Sequence, residues 1–458
     1  MKARVAIATS ALAPSGVLAH ASERAVILTL PTGPYFWGAG LAVAISAAMA
    51  AFSKRLPVLG QYRMFNCPRL LPEGTGSWIS FALFGLLVLI GLLGTRDPYE
   101  NALPLMVWTV IWVGLTIVVA LFGNLWADLN PWSGPVRTLR GLIERTEGIG
   151  LARLGYLPAV AGFFAFAWYE IVSLSPDDPA DLAIVASSYW LLIFVLAVAE
   201  GEQWLPQGEF FNTFFGLVAK IAPFWARYEG MRVEVHAGIP GAQIMSLPPL
   251  SKSAIAFVTL MLATVSFDGL HETFRWVAFL GLNPLDYPGR SAVTFPNSMG
   301  LLLTWLAMSA LIIGAIRLTL YLACSDLPLS DIAGPLLLSF LPIAAAYHIA
   351  HYLIALLTQG QYAIAALSDP LGSGADYLGL GPHWVSFGFL SQQHAVWTIW
   401  IVQFAIILGA HLLAVFLSEQ IARRAGLNLS LAAQAPIAIL MVLYTCFGLW
   451  LLAAPAIG

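Results

Sequence analysis

The chain has 458 residues, of which 59% are hydrophobic and only 10% are charged. Soluble globular domains carry about 25% charged residues, so the composition excludes an ordinary soluble protein. The net charge of −3 says little about partners, but the sequence has no basic patch, so no nucleic acid partner is expected. The three cysteines, Cys67, Cys324 and Cys446, lie far apart and form no disulfide or CxxC pattern.

The N-terminus comes first in chain order, and its pattern is typical of a secretory signal. Lys2 and Arg4 precede an apolar stretch that ends in small residues. Residues 1–19 form the expected signal peptide, with cleavage after residue 21 as the competing site. An uncut N-terminal helix is the remaining alternative. Residues 20–458 are expected to form a single transmembrane helical domain.

Apolar runs of about twenty residues recur along the rest of the chain and predict an all-α, polytopic membrane helix bundle. Barrel strands give runs of only about ten residues. We expect about ten transmembrane helices, at residues 34–53, 77–94, 103–123, 154–175, 182–200, 252–270, 298–322, 334–357, 395–418 and 435–455. Residues 208–230 mix aromatic side chains with few charges, which predicts an interfacial or re-entrant helix.

The distribution of Lys and Arg among the predicted loops indicates how the bundle is oriented. Every second loop is basic, as in the loop after the first span, which contains Lys54, Arg55, Arg63 and Arg69. Basic loops remain in the cytoplasm, so the less basic loops and both termini are expected on the outer side. The largest outer-face loop, 358–394, is rich in Gly, Ser and Asp, and a loop of that length predicts a functional role.

Histidines are concentrated on the predicted outer side, and this clustering is the strongest functional signal in the sequence. Six of the eight lie there, namely His20, His271, His348, His351, His383 and His394. His348 and His351 are three positions apart in an apolar helix, so their side chains share a helical face. Two imidazoles on one face are a common metal half-site, which predicts a divalent or transition metal ion such as copper or zinc. An interhelical hydrogen bond from each ring is the alternative.

A second group of ionisable residues lies in SFDGLHETFRW, at the outer end of the sixth predicted span. Asp268, His271 and Glu272 are spaced i, i+3, i+4 and project from one face if the helix continues. His271 is therefore a further candidate metal ligand, and Asp268 and Glu272 are the candidate catalytic acids or bases. The alternative is a helix that ends at Gly269, with solvated charges and an Arg275–Glu272 ion pair.

The remaining candidates are single residues on the same side. Cleavage of the signal after residue 19 leaves His20 as the N-terminus, where its α-amine and imidazole can bind one metal, as in a histidine brace. Glu170 is predicted to accept a histidine N–H, with a lone snorkelling acid as the alternative. The residues predicted to support or cover the site are Asp369, His394 and Gln361.

Four stretches, spread over most of the chain, carry a family resemblance. They are AHASERAVILTLPTGPYFWGAG near the N-terminus, GNLWADLNPW (123–132), SFDGLHETFRW with GLNPLDYPGRSAV (281–293), and AYHIAHY…QGQ…SDPLG (346–372). In these stretches the chain resembles a bacterial membrane protein family named fenitrothion hydrolase. The resemblance implies a protein of the inner membrane that hydrolyses an organophosphorus triester and releases a nitrophenol. The predicted site then lies on the periplasmic side, where an apolar substrate enters from the bilayer.

The main hypothesis is therefore a metal-dependent hydrolase in the inner membrane. A metal-handling membrane protein, for copper or another metal, is the first alternative. A non-catalytic membrane subunit of a periplasmic enzyme complex is the second. A second membrane or periplasmic subunit is compatible with each of them, because the chain has few large soluble loops.

Overall fold

The computed structural model describes residues 32–52, 59–69, 71–381, 383–427 and 430–455. The predicted signal peptide and His20 lie outside the described residues. The described part is mostly helical, and nine of its helices are long and apolar enough to cross a membrane. The predicted polytopic helix bundle is therefore confirmed at this level.

The helices follow one another with short connections. They are α1 (Gly33–Phe52), α2 (Thr75–Leu93), α3 (Ala102–Phe122), α4 (Ser133–Leu142), α5 (Leu157–Val172), α6 (Pro179–Glu200), α7 (Phe210–Val218), α8 (Lys252–His271), α9 (Phe274–Phe279), α10 (Arg290–Leu322), α11 (Leu329–His351), α12 (Leu353–Ser368), α13 (Gln393–Arg424) and α14 (Leu431–Ala453). Single helical turns lie at Trp126–Leu129 and Leu205–Gly208.

Helix α5 corresponds to the fourth predicted span and is the shortest of the ten helices that match predicted spans. Its 16 residues measure about 24 Å at 1.5 Å per residue, which is less than the roughly 30 Å hydrocarbon core. By length and composition the described residues therefore contain nine spanning helices, where the sequence predicts about ten.

Two of the spanning helices depart from regular α-helix. Helix α3 is π-helical over Leu105–Leu115, and π-helical turns occur frequently at functional sites. Helix α11 consists of Leu329–Leu338 and Leu341–His351, and Pro342 lies at the start of its second part. Because proline has no N–H, it favours the first turn of a helix and disfavours its interior.

The bundle has two ends, which the connections distinguish. One end carries a three-stranded antiparallel sheet of β1 (Gln61–Pro68), β2 (Phe224–Glu229) and β3 (Arg232–Gly238), in the order β1-β3-β2. We call it the sheet end. The other end carries the connections 94–101, 173–178, 272–289 and 369–392, each of which contains two Asp or Glu residues, and we call it the acidic end.

The sheet corrects two expectations from the sequence. The fold is not purely helical, and the segment 208–230 is not one helix: α7 and a 3-10 turn end at Ile221, and β2 begins at Phe224. The predicted loop 358–394 is also shorter than expected. Helix α12 extends to Ser368, and α13 begins at Gln393.

Helices α8 and α11 form the centre of the bundle. In their most apolar windows 72% and 89% of the residues are buried, against 17% in α2, which lies at the periphery. The polar residues of these two helices are therefore mostly surrounded by protein rather than by lipid. A buried polar group is costly unless it is hydrogen-bonded, so these residues are expected to have partners.

Candidate functional site

The carboxylate of Asp268, in the last turn of α8, is the centre of a buried hydrogen-bond network. His351 Nε2 lies 2.7 Å from Asp268 Oδ2, and the Tyr352 hydroxyl lies 2.7 Å from the same oxygen. The Tyr352 hydroxyl also lies 3.0 Å from Glu170 Oε1. A hydroxyl donates a single hydrogen, so the Tyr352 hydroxyl donates to only one of the two carboxylates at a time.

Three helices and one helix junction bring these groups together. Asp268 comes from α8 and Glu170 from the end of α5, whereas His351 ends α11. Tyr352 lies between α11 and α12 with φ −90° and ψ 6°, outside helical geometry. The interruption turns the Tyr352 side chain towards α5 and α8. Gln403 of α13 donates a hydrogen bond of 2.8 Å to the carbonyl of Ala350 beside the junction.

The network borders a cavity of about 180 Å³ at the acidic end. Four carboxylates line it: Glu170, Asp177, Asp268 and Glu272. Two imidazoles, those of His271 and His351, and one guanidinium, that of Arg290, also line it. A volume of this size holds several waters or a small organic group, since one water occupies about 30 Å³ in the liquid. Acids therefore outnumber permanent cations around the cavity.

His271 is oriented by the backbone of α8. Its Nδ1 lies 2.7 Å from the carbonyl oxygen of Asp268. A carbonyl can only accept, so Nδ1 carries the hydrogen, and in the neutral ring Nε2 keeps its lone pair. His271 Nε2 lies 4.0 Å from Glu272 Oε1. The helix continues past Gly269 to His271, so Asp268 and His271 project from one helix as predicted from their spacing.

Arg290 supplies the positive charge of the cavity. Its guanidinium donates hydrogen bonds of 2.9 Å and 3.1 Å to the backbone carbonyls of Glu170 and Ser173. Within the described parts of the chain, no carboxylate lies within 4.0 Å of the Arg290 guanidinium. The guanidinium is thus fixed in position while its charge remains available to a bound molecule.

His348 has a different environment from that of His351. Its Nε2 lies 2.9 Å from the backbone oxygen of Trp112 in α3, and its ring packs against the rings of Trp112 and Phe214. His348 does not line the 180 Å³ cavity, although it borders, together with Asp268, a separate space of only about 10 Å³. The structure therefore matches the interhelical alternative for His348, whereas His351 belongs to the Asp268 network.

The described side chains do not form the metal site that the sequence predicts. Among the described residues, no group of three or more His, Cys, Asp or Glu side chains is arranged to hold a metal ion. His20, the fourth predicted ligand, lies outside the described residues. The described donors alone do not fit the predicted copper or zinc ion.

The remaining sequence candidates lie outside the cavity and organise the connection between α12 and α13. Asp369 accepts hydrogen bonds from the backbone N–H groups of Ser373 and Gly374. Gln361 Oε1 accepts from the Ser386 N–H at 2.8 Å. His394 is exposed in the first turn of α13. None of the three predicted residues, Asp369, Gln361 and His394, lines the cavity.

Three residues of the site were not among the candidates from the sequence: Tyr352, Arg290 and Gln403. Tyr352 directly follows His351, and a polar aromatic beside a buried imidazole was the available signal. Arg290 lies in GLNPLDYPGRSAV (281–293), a stretch that carries the family resemblance but has no spacing pattern that indicates a site. Gln403 carried no local signal, because its role depends on the packing of α13 against α11.

Comparison of the chain with protein-family models, with curated proteins and with solved structures found no match in any of the three.

Proposed function

We propose that the chain is a membrane-embedded hydrolase of neutral organophosphorus triesters of the fenitrothion type, and that it acts in the cavity beside Asp268. One observation carries the proposal: a buried carboxylate contacts both an imidazole and a phenol hydroxyl at the edge of a cavity, with 2.7 Å from Asp268 Oδ2 to His351 Nε2 and to the Tyr352 hydroxyl. A carboxylate that orients an imidazole is a recurrent arrangement of general bases.

In the proposed reaction His351 acts as the general base. Asp268 accepts the Nε2–H of His351, so Nδ1 of the neutral ring keeps its lone pair and can remove a proton from water. The water oxygen forms a bond to phosphorus, and the bond from phosphorus to the aryl oxygen breaks. The nitrophenolate leaves with the electron pair and takes up the proton from His351, which gives a dialkyl diester and a nitrophenol.

Arg290 has the complementary role in the proposal. Negative charge develops on the phosphoryl or thiophosphoryl group during attack, and a fixed guanidinium stabilises that charge. The hydrogen bonds from Arg290 to the carbonyls of Glu170 and Ser173 hold the guanidinium in place. Preorganisation of this kind lowers the barrier without reorganisation during the reaction.

The charge of the cavity supports a neutral substrate. The lining contains four carboxylates and one permanent cation, Arg290. Phosphate monoesters and diesters are anions, and juxtaposed like charges disfavour their binding. A triester carries no charge and is not repelled, while its diester product is an anion and is expelled more readily.

The surface beside the cavity supports entry from the bilayer. The connection 272–289 contributes Glu272 to the cavity. It also exposes Phe279 and Leu285, whose side chains are 79% and 83% exposed. Exposed large apolar side chains on a connection that also reaches the cavity favour uptake of an apolar molecule that partitions into lipid.

The test uses the purified chain in lipid nanodiscs, with a dialkyl nitrophenyl triester and the matching alkyl nitrophenyl diester. Nitrophenol release is expected from the triester and to be much slower from the diester, because the acidic cavity repels the anion. Asp286→Asn, which changes an exposed acid of the same end, is the matched control and is expected to retain activity. Absence of release from the triester, or equal rates with both esters, contradicts the proposal.

A second candidate function is metal handling, in which the excess of carboxylates around the cavity attracts the cation. Because the described donors alone do not form a copper or zinc site, this function needs a further ligand from outside the described residues. In that case copper or zinc co-purifies with the chain in stoichiometric amount. Elemental analysis is expected to show the metal reduced in Glu272→Gln and retained in Asp286→Asn. Equal metal contents in the wild type and both variants contradict binding in this cavity.

A further inference from the structure

A second cavity, of about 440 Å³, lies at the sheet end of the bundle. Ser251 and Ala254, at the start of α8, form part of its wall. Asp268 lies near the other end of the same helix, whose 20 residues span about 30 Å at 1.5 Å per residue. The sheet-end cavity is therefore separate from the proposed hydrolytic site and needs its own explanation.

The position of this cavity along the bundle follows from the helix ends. Asn124 in its wall follows the last residue of α3, Phe122, by two positions. Leu250 and Ser251 immediately precede Lys252, the first residue of α8. Spanning helices end where the hydrocarbon core gives way to the headgroups. The cavity therefore lies at the level of the lipid headgroups.

One side of the cavity is apolar and rigid. Leu205, Leu217 and Leu250 contribute aliphatic side chains to the wall. Pro248 and Pro249 contribute a segment of the chain whose φ angles are fixed by the proline rings. Binding to a preformed wall costs little conformational entropy, so the cavity is suited to a ligand with an apolar part.

The other side of the cavity presents a cation without a counterion. Lys220 lines the cavity, and in the described parts of the chain no carboxylate lies within 4.0 Å of its ammonium group. Burial, and then repulsion from Arg227, lower the pKa of Lys220 below its usual value. Glu202 also lines the cavity, but its carboxylate is paired with Arg137 at 3.0 Å. The positive charge of Lys220 is thus not compensated by the protein.

Two further donors line the same cavity. The hydroxyl of Tyr156 makes no hydrogen bond to another described residue, and burial raises the pKa of Tyr156. The side-chain oxygen of Asn124 accepts from the N–H of Ala127, while its amide N–H groups donate to no described residue. An uncompensated ammonium together with neutral donors is a set that anion oxygens satisfy.

We propose that the sheet-end cavity binds a phosphate group, carried by the headgroup of an anionic phospholipid or by a free phosphate. Lys220 provides the charge, and Tyr156 and Asn124 donate hydrogen bonds to the phosphate oxygens. The apolar wall contacts the glycerol and first acyl carbons when the ligand is a lipid. The headgroup level of the cavity places it where such phosphates are concentrated.

The test uses the purified full-length chain after removal of bound lipid. Native mass spectrometry measures retention of phosphatidylglycerol against phosphatidylcholine, and isothermal titration measures binding of inorganic phosphate. The informative variants are Lys220→Met and Tyr156→Phe. Lys252→Met is the matched control, since Lys252 is exposed at the same end and does not line the cavity.

We expect retention of phosphatidylglycerol over phosphatidylcholine by the wild type, and affinity at least about tenfold weaker in Lys220→Met. Tyr156→Phe is expected to weaken it by a smaller factor, and Lys252→Met to leave it unchanged. Binding of inorganic phosphate alone, with the same dependence on Lys220, assigns the cavity to free phosphate. The proposal is overturned if Lys220→Met alters neither affinity, or if Lys252→Met reduces both equally. If Lys220→Met does not fold, Tyr156→Phe replaces it: weaker binding supports the proposal, and unchanged binding of both ligands overturns it.

Discussion

The two ends of the bundle contain cavities of opposite electrostatic character. At the acidic end, Asp268 and Glu170 share the Tyr352 hydroxyl, and acids outnumber permanent cations. At the sheet end, the Lys220 ammonium has no carboxylate within 4.0 Å among the described residues. The chain as a whole is nearly neutral, with a net charge of −3. The charge of a ligand is therefore selected locally, by which side chains the helix ends place around each cavity.

The largest expected effect concerns the acidic end, where His351 borders the cavity and His348 does not. His351→Gln removes the proposed base, and general-base catalysis is worth about 10²–10⁴-fold, so kcat/KM is expected to fall by about that factor. His348→Gln removes a hydrogen bond to Trp112 outside the cavity, so it is expected to lower the thermal midpoint while activity stays within a few-fold. Nitrophenol release and thermal unfolding measure the two effects. Equal losses of activity in both variants mean that the two histidines are not functionally distinct.

The next effect concerns the Tyr352 hydroxyl, which lies between the two carboxylates. Tyr352→Phe removes the hydroxyl between Asp268 and Glu170 and leaves buried acceptors unpaired, which costs about 1–3 kcal/mol. We expect kcat to fall about tenfold or more and its pH profile to shift. Tyr377→Phe, at an exposed tyrosine of the same end, is the control. An unchanged pH profile in Tyr352→Phe argues against a role of this hydroxyl in the proton transfers of the reaction.

A smaller effect is expected from the charge of the cavity itself. Glu272→Gln removes one of the four lining carboxylates, so the preference for the triester over the diester is expected to fall by about three- to tenfold, mainly through the KM of the diester. Glu100→Gln changes an exposed acid of the same end and serves as the control. A preference that stays constant in Glu272→Gln contradicts electrostatic selection at the acidic end.

The smallest expected effect is a pH-dependent change in the local stability of the connection between α12 and α13. Hydrogen bonds from the Ser368 hydroxyl and the Gly381 and Leu380 N–H groups lower the pKa of Asp376 from its ordinary value of 3.8. A lowered folded-state pKa stabilises the connection at pH values above 3.8, and this contribution is lost as the pH falls through the folded-state pKa. Proteolysis within 369–381 is expected to accelerate only in that acidic range. Acceleration near neutral pH, where Asp376 is ionised in both states, contradicts this explanation.

Much of the fold could be predicted from the sequence, because a spanning helix leaves a local signal of about twenty apolar residues. The sheet was missed because β2 and β3 share a connection with an aromatic-rich helix, α7, and β1 lies in a different connection, between α1 and α2. The alternation in FWARYEGMRVEVHAG, with Gly230 at φ 59° in a two-residue turn, was the available signal. The break at Tyr352 had no comparable signal, because tertiary contacts maintain it.

Part of the site could also be predicted, because some of its residues lie close together on one helix. Asp268 and His271 share a helix, so their spacing alone predicts their proximity. His348 and His351 show the limit of that reasoning. Side chains three positions apart on a helix point in directions that differ by about 60°. The packing of the neighbouring helices then decides which partner each ring contacts, so His348 contacts α3 and His351 contacts α8. Arg290 joins the cavity through contacts 117 to 120 residues away in sequence, which periodicity cannot indicate.

The most direct test of the central claim is the rate of nitrophenol release from a dialkyl nitrophenyl triester by Asp268→Asn and by Asp286→Asn, compared with the wild type in the same nanodiscs. The asparagine keeps the shape of the Asp268 side chain but removes the charge that orients His351 and stabilises its protonated form. We predict a fall in kcat/KM of about 10³-fold or more in Asp268→Asn, with Asp286→Asn within twofold of the wild type. Equal activity in the two variants contradicts a reaction at Asp268.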